Sequence, residues 1–188
     1  MPNFNDLWNN HPGSGSQPCN ETKFENQCAI RMGIAFQKSG IDLKKYKGAK
    51  CWFWTKKGDT KHKPKAKEKL IHVLRAKELK EWVDKKGMFG KGKKYRRTRY
   101  QRKHKKPLDK DEFKNKAGLI YINNGWGNTD HIDLWDGNQL LAGEASWLEL
   151  GNFIQFWEME NKATMPQEIE PEIAHIFELM LPVLRSIE

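Results

Sequence analysis

Apolar residues recur at helical spacing in two stretches and form short runs or alternations in three others. In NQCAIRMGIAFQKS, residues 26–39, Ala29, Ile30, Met32, Gly33 and Phe36 fall near one face, and Gly40 sits where helices commonly stop. This predicts a helix with Cys28 in its first turn. From Lys69 to Lys85 the stripe Leu70, Val73, Leu74, Leu79, Trp82 and Val83 predicts a second helix, ended by Gly87. AGLIYI, from Ala117, reads as a strand, 123–129 as a turn-rich loop, DHIDLW as a second strand, and Asp136-Gly137 as a hairpin turn. A further aromatic strand is expected near Phe153 to Trp157, and an acidic amphipathic helix, interrupted by Pro182, over 168–187. Near the N-terminus, Phe4, Leu7 and Trp8 can turn one face inward before the loop PGSGSQP, while CWFW at 51–54 suits a buried strand or tight loop. Helix first and strands later predicts an α+β fold with segregated layers and an antiparallel meander.

Composition and charge modify this outline. The 188 residues fit one domain; charged residues make up 31%, and eight Trp and nine Phe supply bulk for a core although only 37% of the chain is hydrophobic. Of the net charge of +10, most of the cations lie between about Lys44 and Lys116, whereas the stretch after Gly151 is mostly acidic. Residues 87–106, GMFGKGKKYRRTRYQRKHKK, carry no apolar stripe and are expected to form an extended or mobile excursion. Such asymmetry fits a solvated face, a nucleic-acid contact or an anionic envelope surface. No segment approaches the roughly eighteen apolar residues of a membrane helix, and the N-terminus lacks a basic and an apolar signal region. The expectation is a chain made in the cytoplasm that needs other machinery to reach any target outside.

Two residues carry candidate chemistry. A cysteine in the first turn of a helix has its thiolate favoured by unpaired backbone N–H groups and the helix dipole, and the same N–H groups can receive an oxyanion. Cys28 occupies that position, although a lone cysteine beside an apolar helical face is more often an inert buried residue. Among six histidines, His131 stands on a strand whose alternation puts His131, Asp133 and Trp135 on one face and Ile132 and Leu134 on the other. A helix-start cysteine with a strand-borne histidine is the pairing of papain-like hydrolases. The three cysteines show no zinc spacing, so no metal is expected; Cys19 and Cys51 could pair in an oxidising space and leave Cys28 as a thiol.

NQCAIRMG around Cys28 and HIDLWDG from His131 together resemble the two signature blocks of the fourth family of type VI secretion amidase effectors. PNFNDLW, HVLRAKELKEWV and AGLIYI match in order, so the likeness runs through most of residues 2–157, with the basic stretch and the tail after Lys162 as additions. The resemblance implies an NlpC-type, papain-like fold, an N-terminal catalytic helix packed on an antiparallel sheet, in an amidase domain over 1–160. This domain carries a basic insertion at about 87–116 and an acidic helical extension over 161–188. It further implies a cofactor-independent cysteine endopeptidase that hydrolyses the γ-D-glutamyl to meso-diaminopimelate bond of peptidoglycan stem peptides. The carry-over makes Cys28 the nucleophile and His131 the general base, with delivery to the target-cell periplasm and a cognate immunity protein as partner. Two departures stand out. Asp130 replaces the usual Gly before the histidine, and the nearest acid to the expected third position is Glu144. Asp133 is its rival, although side chains two apart on a strand point in parallel. The competing classes are a nucleic-acid-binding module, suggested by Tyr95 and Tyr100 among the cations, and an inactive amidase-like interaction domain.

Overall fold

Asn3 starts the first helix, α1, Phe4–Asn10: its side chain accepts from the Asp6 N–H at 2.9 Å and the Asp6 carboxylate accepts from the Asn3 N–H at 3.0 Å. This reciprocal cap fixes a short helix that would not persist alone, and Phe4 and Leu7 bury its inner face. The structure is a computed structural model that describes residues 2–19, 23–51, 70–104, 106, 108, 110–126 and 129–160. The expectations for residues 52–54 and for the acidic extension over 161–188 lie outside the described residues.

The central helix, α2, is Cys28–Lys38, and every residue from Cys28 to Phe36 is buried. Gly33 is what lets the next segment lie against it, because a Cβ there would stand 3.2 Å from Val73 Cγ2. Gln37 then clamps that segment, donating to the Ile71 carbonyl at 2.9 Å and accepting from the Ile71 N–H at 2.8 Å. The helix expected from Lys69 therefore starts later, with α3 at Ala76–Lys86. Residues 70–75 are extended instead, Val73 bridging to Lys50 in antiparallel fashion. The apolar residues that suggested a helix there are used by packing on α2 and by backbone pairing. Gly87, at φ 61°, closes α3 in the left-handed cap conformation.

The basic excursion also has more structure than its composition suggested. Lys93–Arg96 forms β1, whose partner is β4, Phe153–Glu158. Tyr95 supplies the inward contact, its ring 4.6 Å from that of Phe113, while lysines leave the strand edge charged. A short helix, α4, Arg99–Lys103, follows. β2, Gly118–Trp126, and β3, Thr129–Trp135, make an antiparallel hairpin, and the sheet runs in the order β1-β4-β2-β3 with all pairs antiparallel. It is not a plain meander, since β4 returns to the far side of β2 after the short helix α5, Trp147–Leu150.

Alternation along the strands gives the sheet two apolar faces. Leu119, Tyr121, Ile132, Leu134 and Trp157 pack with Phe4, Leu7, Met32, Phe36, Leu79 and Val83 from the helices. Ile120, Ile122, Trp135, Ile154 and Phe156 face the opposite way, under Leu108, Phe113, Leu140 and Leu148. α1, α2 and α3 pack on the first of these faces and the short α5 on the second, in an α+β architecture. β3 is the edge strand at one end of the order, and α2 packs against it. That contact brings the start of α2 to His131.

Candidate active site

Cys28 is the first residue of α2 and is buried. The preceding Gln27 makes no side-chain cap; its amide instead donates to the Cys19 carbonyl at 2.9 Å and its oxygen accepts from the Cys19 N–H at 2.9 Å. The Cys28 thiol lies 3.9 Å from the Asp130 carbonyl oxygen and is hydrogen-bonded to the His131 side chain. Burial alone would raise the thiol's pKa. The hydrogen bond and charge of His131, with the Ile132 backbone, outweigh burial and a smaller opposing effect of Asp133, so the pKa falls below its ordinary value.

His131 is buried, and its Nε2 faces Asp133 Oδ2 at 3.2 Å, which leaves Nδ1 for the sulfur. Burial is again the largest single influence and would lower its pKa. The bonds to Asp133 and Cys28 reverse this and raise it to about 9, so the geometry favours an imidazolium facing a thiolate. Two backbone amides hold Asp133 rigidly in place, since Oδ1 accepts the Leu134 N–H at 2.8 Å and Oδ2 the Ala142 N–H at 2.8 Å. The Trp147 ring stands edge-on to the imidazole, centroids 4.8 Å apart. Gly143 leaves room at Nε2, because a Cβ there would lie 3.0 Å from that nitrogen.

The carboxylate that faces His131 is thus Asp133. Glu144 is exposed and accepts from the Ser146 hydroxyl at 3.3 Å. Two residues apart on a strand, His131 and Asp133 still meet, with Asp133 pinned from below by the 134 and 142 amides. Asp130 plays a different part from an added charge beside the base: its carboxylate accepts from the Tyr121 hydroxyl at 2.6 Å, the Asn123 amide at 2.8 Å and the Asn124 N–H at 3.1 Å. It is the Asp130 backbone carbonyl that reaches the thiol.

His11 also belongs to this cluster. Its Nδ1 accepts the Gly13 N–H at 3.1 Å, so Nε2 carries the proton and points to Asp133 Oδ1 at 3.8 Å. Burial, then the charges of Arg31 and His131, prevail over attraction to Asp133 and lower its pKa to about 4, which keeps the ring neutral. Nothing in the local sequence marks His11, because its partner lies on a strand far along the chain.

Cys28 opens onto a cleft of about 380 Å³. Leu74 to Lys77 form one wall, and Asn123, Asn124 and Asp130 another. A larger hollow of about 770 Å³ lies elsewhere, between Asp84, Gln155 and the Gly87–Lys94 segment, and holds none of these groups. The smaller cleft has the chemistry. A thiol with a lowered pKa, an imidazole bonded to it and a carboxylate behind the ring are groups that acyl transfer by covalent catalysis can use.

Solved structures resemble this fold, among them the following three. Two are effector–immunity complexes, Tae4–Tai4, from Salmonella typhimurium, at 16% identity, covering 85% of this chain and 99% of theirs, with TM-scores of 0.58 and 0.59. The third is the corresponding complex from Enterobacter cloacae, at 19% identity, with the same coverage and a TM-score of 0.56. No curated protein matches the sequence. The family model for the type VI secretion system (T6SS) amidase effector protein 4 matches residues 24–165, well over half of the chain, with Cys28, His131 and Asp133 inside the match; the chain belongs to that amidase effector family.

Proposed function

We propose that this amidase effector is a cysteine endopeptidase that cuts the γ-D-glutamyl to meso-diaminopimelate bond of peptidoglycan stem peptides in the periplasm of a target cell. The observation that carries the cysteine mechanism is the series of hydrogen bonds from the Cys28 thiol, which lines the cleft, through His131 to Asp133 behind it. The Cys28 thiolate attacks the γ-carbonyl carbon. The developing oxyanion is received by the N–H of Cys28 at the α2 start, where the helix dipole also favours negative charge. His131 then gives its proton to the departing diaminopimelate amine, leaving a γ-glutamyl thioester on Cys28. Water, deprotonated by His131, releases the glutamyl product and the thiol. Asp133 holds the imidazole in register and stabilises its charged form, and Glu144 has no part in the step.

An immunity protein that covers the cleft is the partner this reading calls for. The solved Tae4 proteins of Salmonella typhimurium and Enterobacter cloacae are themselves bound to Tai4. The net charge of +10 makes an acidic inhibitor electrostatically suitable. The test is digestion of diaminopimelate-type sacculi, with the released muropeptides identified by mass spectrometry. New free diaminopimelate amines and γ-glutamyl ends are expected. Cys28→Ala should remove them while leaving the circular dichroism spectrum unchanged; cleavage at another bond, or cleavage by the mutant, would overturn the assignment.

A further inference from the structure

Away from the catalytic thiol, a second cluster of reactive groups converges beneath α2. Cys19 Sγ and Cys51 Sγ are 3.7 Å apart, and the ligand atoms of Cys19, Cys51 and His72 all lie within 4.8 Å of one another. All three side chains are buried, and Phe24, Ile30, Ile34, Leu70 and Leu74 surround the two sulfurs. Closure to a disulfide would bring the sulfurs together by less than ~2 Å, to about 2.05 Å, a movement within reach of side-chain rotation. A closed tetrahedral metal site would need a fourth donor. Among the described residues the cluster offers three, and the side chains packed on the two sulfurs there are apolar.

We propose that Cys19 and Cys51 are a modification site: in an oxidising compartment they close as a disulfide that braces the catalytic cleft and leaves Cys28 as the chain's one thiol. Placing the oxidant there rests on the proposed action outside the cytoplasm. The oxidant is a disulfide, whether a low-molecular-weight one or that of a dithiol carrier. The thiolate of Cys19, the more exposed of the two residues at 6%, attacks it and releases one thiol; Cys51 then attacks the mixed disulfide and releases the second. Both electrons pass to the oxidant's sulfurs, and His72 stands near enough to accept a thiol proton as each thiolate forms.

The bond would join two walls of the cleft. On one side, the Cys19 backbone is bonded in both directions to Gln27, the residue before Cys28. On the other, the Cys51 N–H donates to the His72 carbonyl at 2.9 Å and the Leu74 N–H to the Ala49 carbonyl at 3.0 Å, and Leu74 begins the opposite wall. A crosslink here would set the distance between the nucleophile's helix and the 74–77 wall.

The experiment uses the full chain, reduced and then equilibrated with oxidised glutathione. In Cys28→Ala, which removes the reactive cleft thiol, intact mass should fall by about 2 Da. Alkylation under denaturing conditions followed by peptide mapping should label neither Cys19 nor Cys51 in either chain. Thermal unfolding should shift up by roughly 5–10 °C on oxidation, a shift absent from Cys19→Ser/Cys51→Ser. The proposal is overturned if three cysteines remain alkylatable, if glutathione stays on Cys19 or Cys51 as an adduct, or if the purified chain carries an equivalent of zinc whose removal is needed to expose the thiols. Because these readouts are masses and thiol counts, they stand or fall separately from the muropeptide assay.

Discussion

Replacing Asp133 by Asn is the sharpest perturbation of the site, because it keeps the shape and removes the charge. The carboxylate serves three donors: Leu134 N–H at Oδ1, Ala142 N–H and His131 at Oδ2. An amide has one oxygen, so in either orientation its NH2 faces a buried N–H, which costs about 1–3 kcal/mol of stability. If the oxygen stays toward His131, the imidazole keeps a neutral acceptor but loses a negative charge, and burial weighs more heavily against its charged form. Its pKa falls below about 9, held up only by Cys28, and the imidazolium that faces the thiolate is less favoured. We expect kcat/KM to drop by about 10²–10⁴-fold. Amide hydrolysis measured from pH 5 to 10 should show the alkaline limb, near 9 in the natural chain, displaced to lower pH in Asp133→Asn. Linkage sets the stability difference. His131's pKa is raised by folding, so its contribution is fully present below 6.5 and fades as pH passes about 9; calorimetry should find the two proteins farther apart at pH 6 than at pH 9.5. Activity within threefold of the natural chain together with an unmoved alkaline limb would refute the role given to Asp133.

Other expectations follow from single contacts. Glu144→Ala, at an exposed position bonded to Ser146, should change kcat/KM by less than about twofold in the same assay. Gly143→Ala should lower kcat by about tenfold or more with a smaller effect on KM, since its Cβ would meet the Trp147 ring at 2.8 Å and His131 Nε2 at 3.0 Å; a steady-state kcat equal to that of the natural chain would contradict it. Leu79→Ala empties a fully buried position between α3 and the sheet and should cost about 2–5 kcal/mol in urea unfolding. Asn3→Ala, which breaks the α1 cap, should cost about 1 kcal/mol by the same measurement.

Legibility in the sequence followed the range of the interactions. α2 and the β2–β3 hairpin could be read because their apolar spacing is local and strong, and glycines at positive φ follow α2 and β3, Gly40 and Gly137. β1 escaped because Lys93, Lys94 and Arg96 carry no apolar alternation; Tyr95 is the one large apolar anchor, and the pairing is dictated by β4, about sixty residues later. Residues 70–75 misled because Val73 and Leu74 suit helix and strand alike, and Gln37 of α2 made the choice. In the site, Cys28 and His131 were legible from position on their own elements. Asp133 was harder, since its orientation depends on the amide of Ala142 returning against it, and His11 left no local trace at all.

The contact between Cys28 and the 130–133 strand spans 102 positions of the chain, and it is made only when β3, the edge strand, docks on α2. Contacts of such separation form late, after loop-closure entropy has been met. A chain unfolded in denaturant would therefore be chemically silent, and amide cleavage would report the docking of β3 on α2 during refolding. Recovery of activity should then track the slowest burial step, making enzymatic rate a probe of when the last strand arrives.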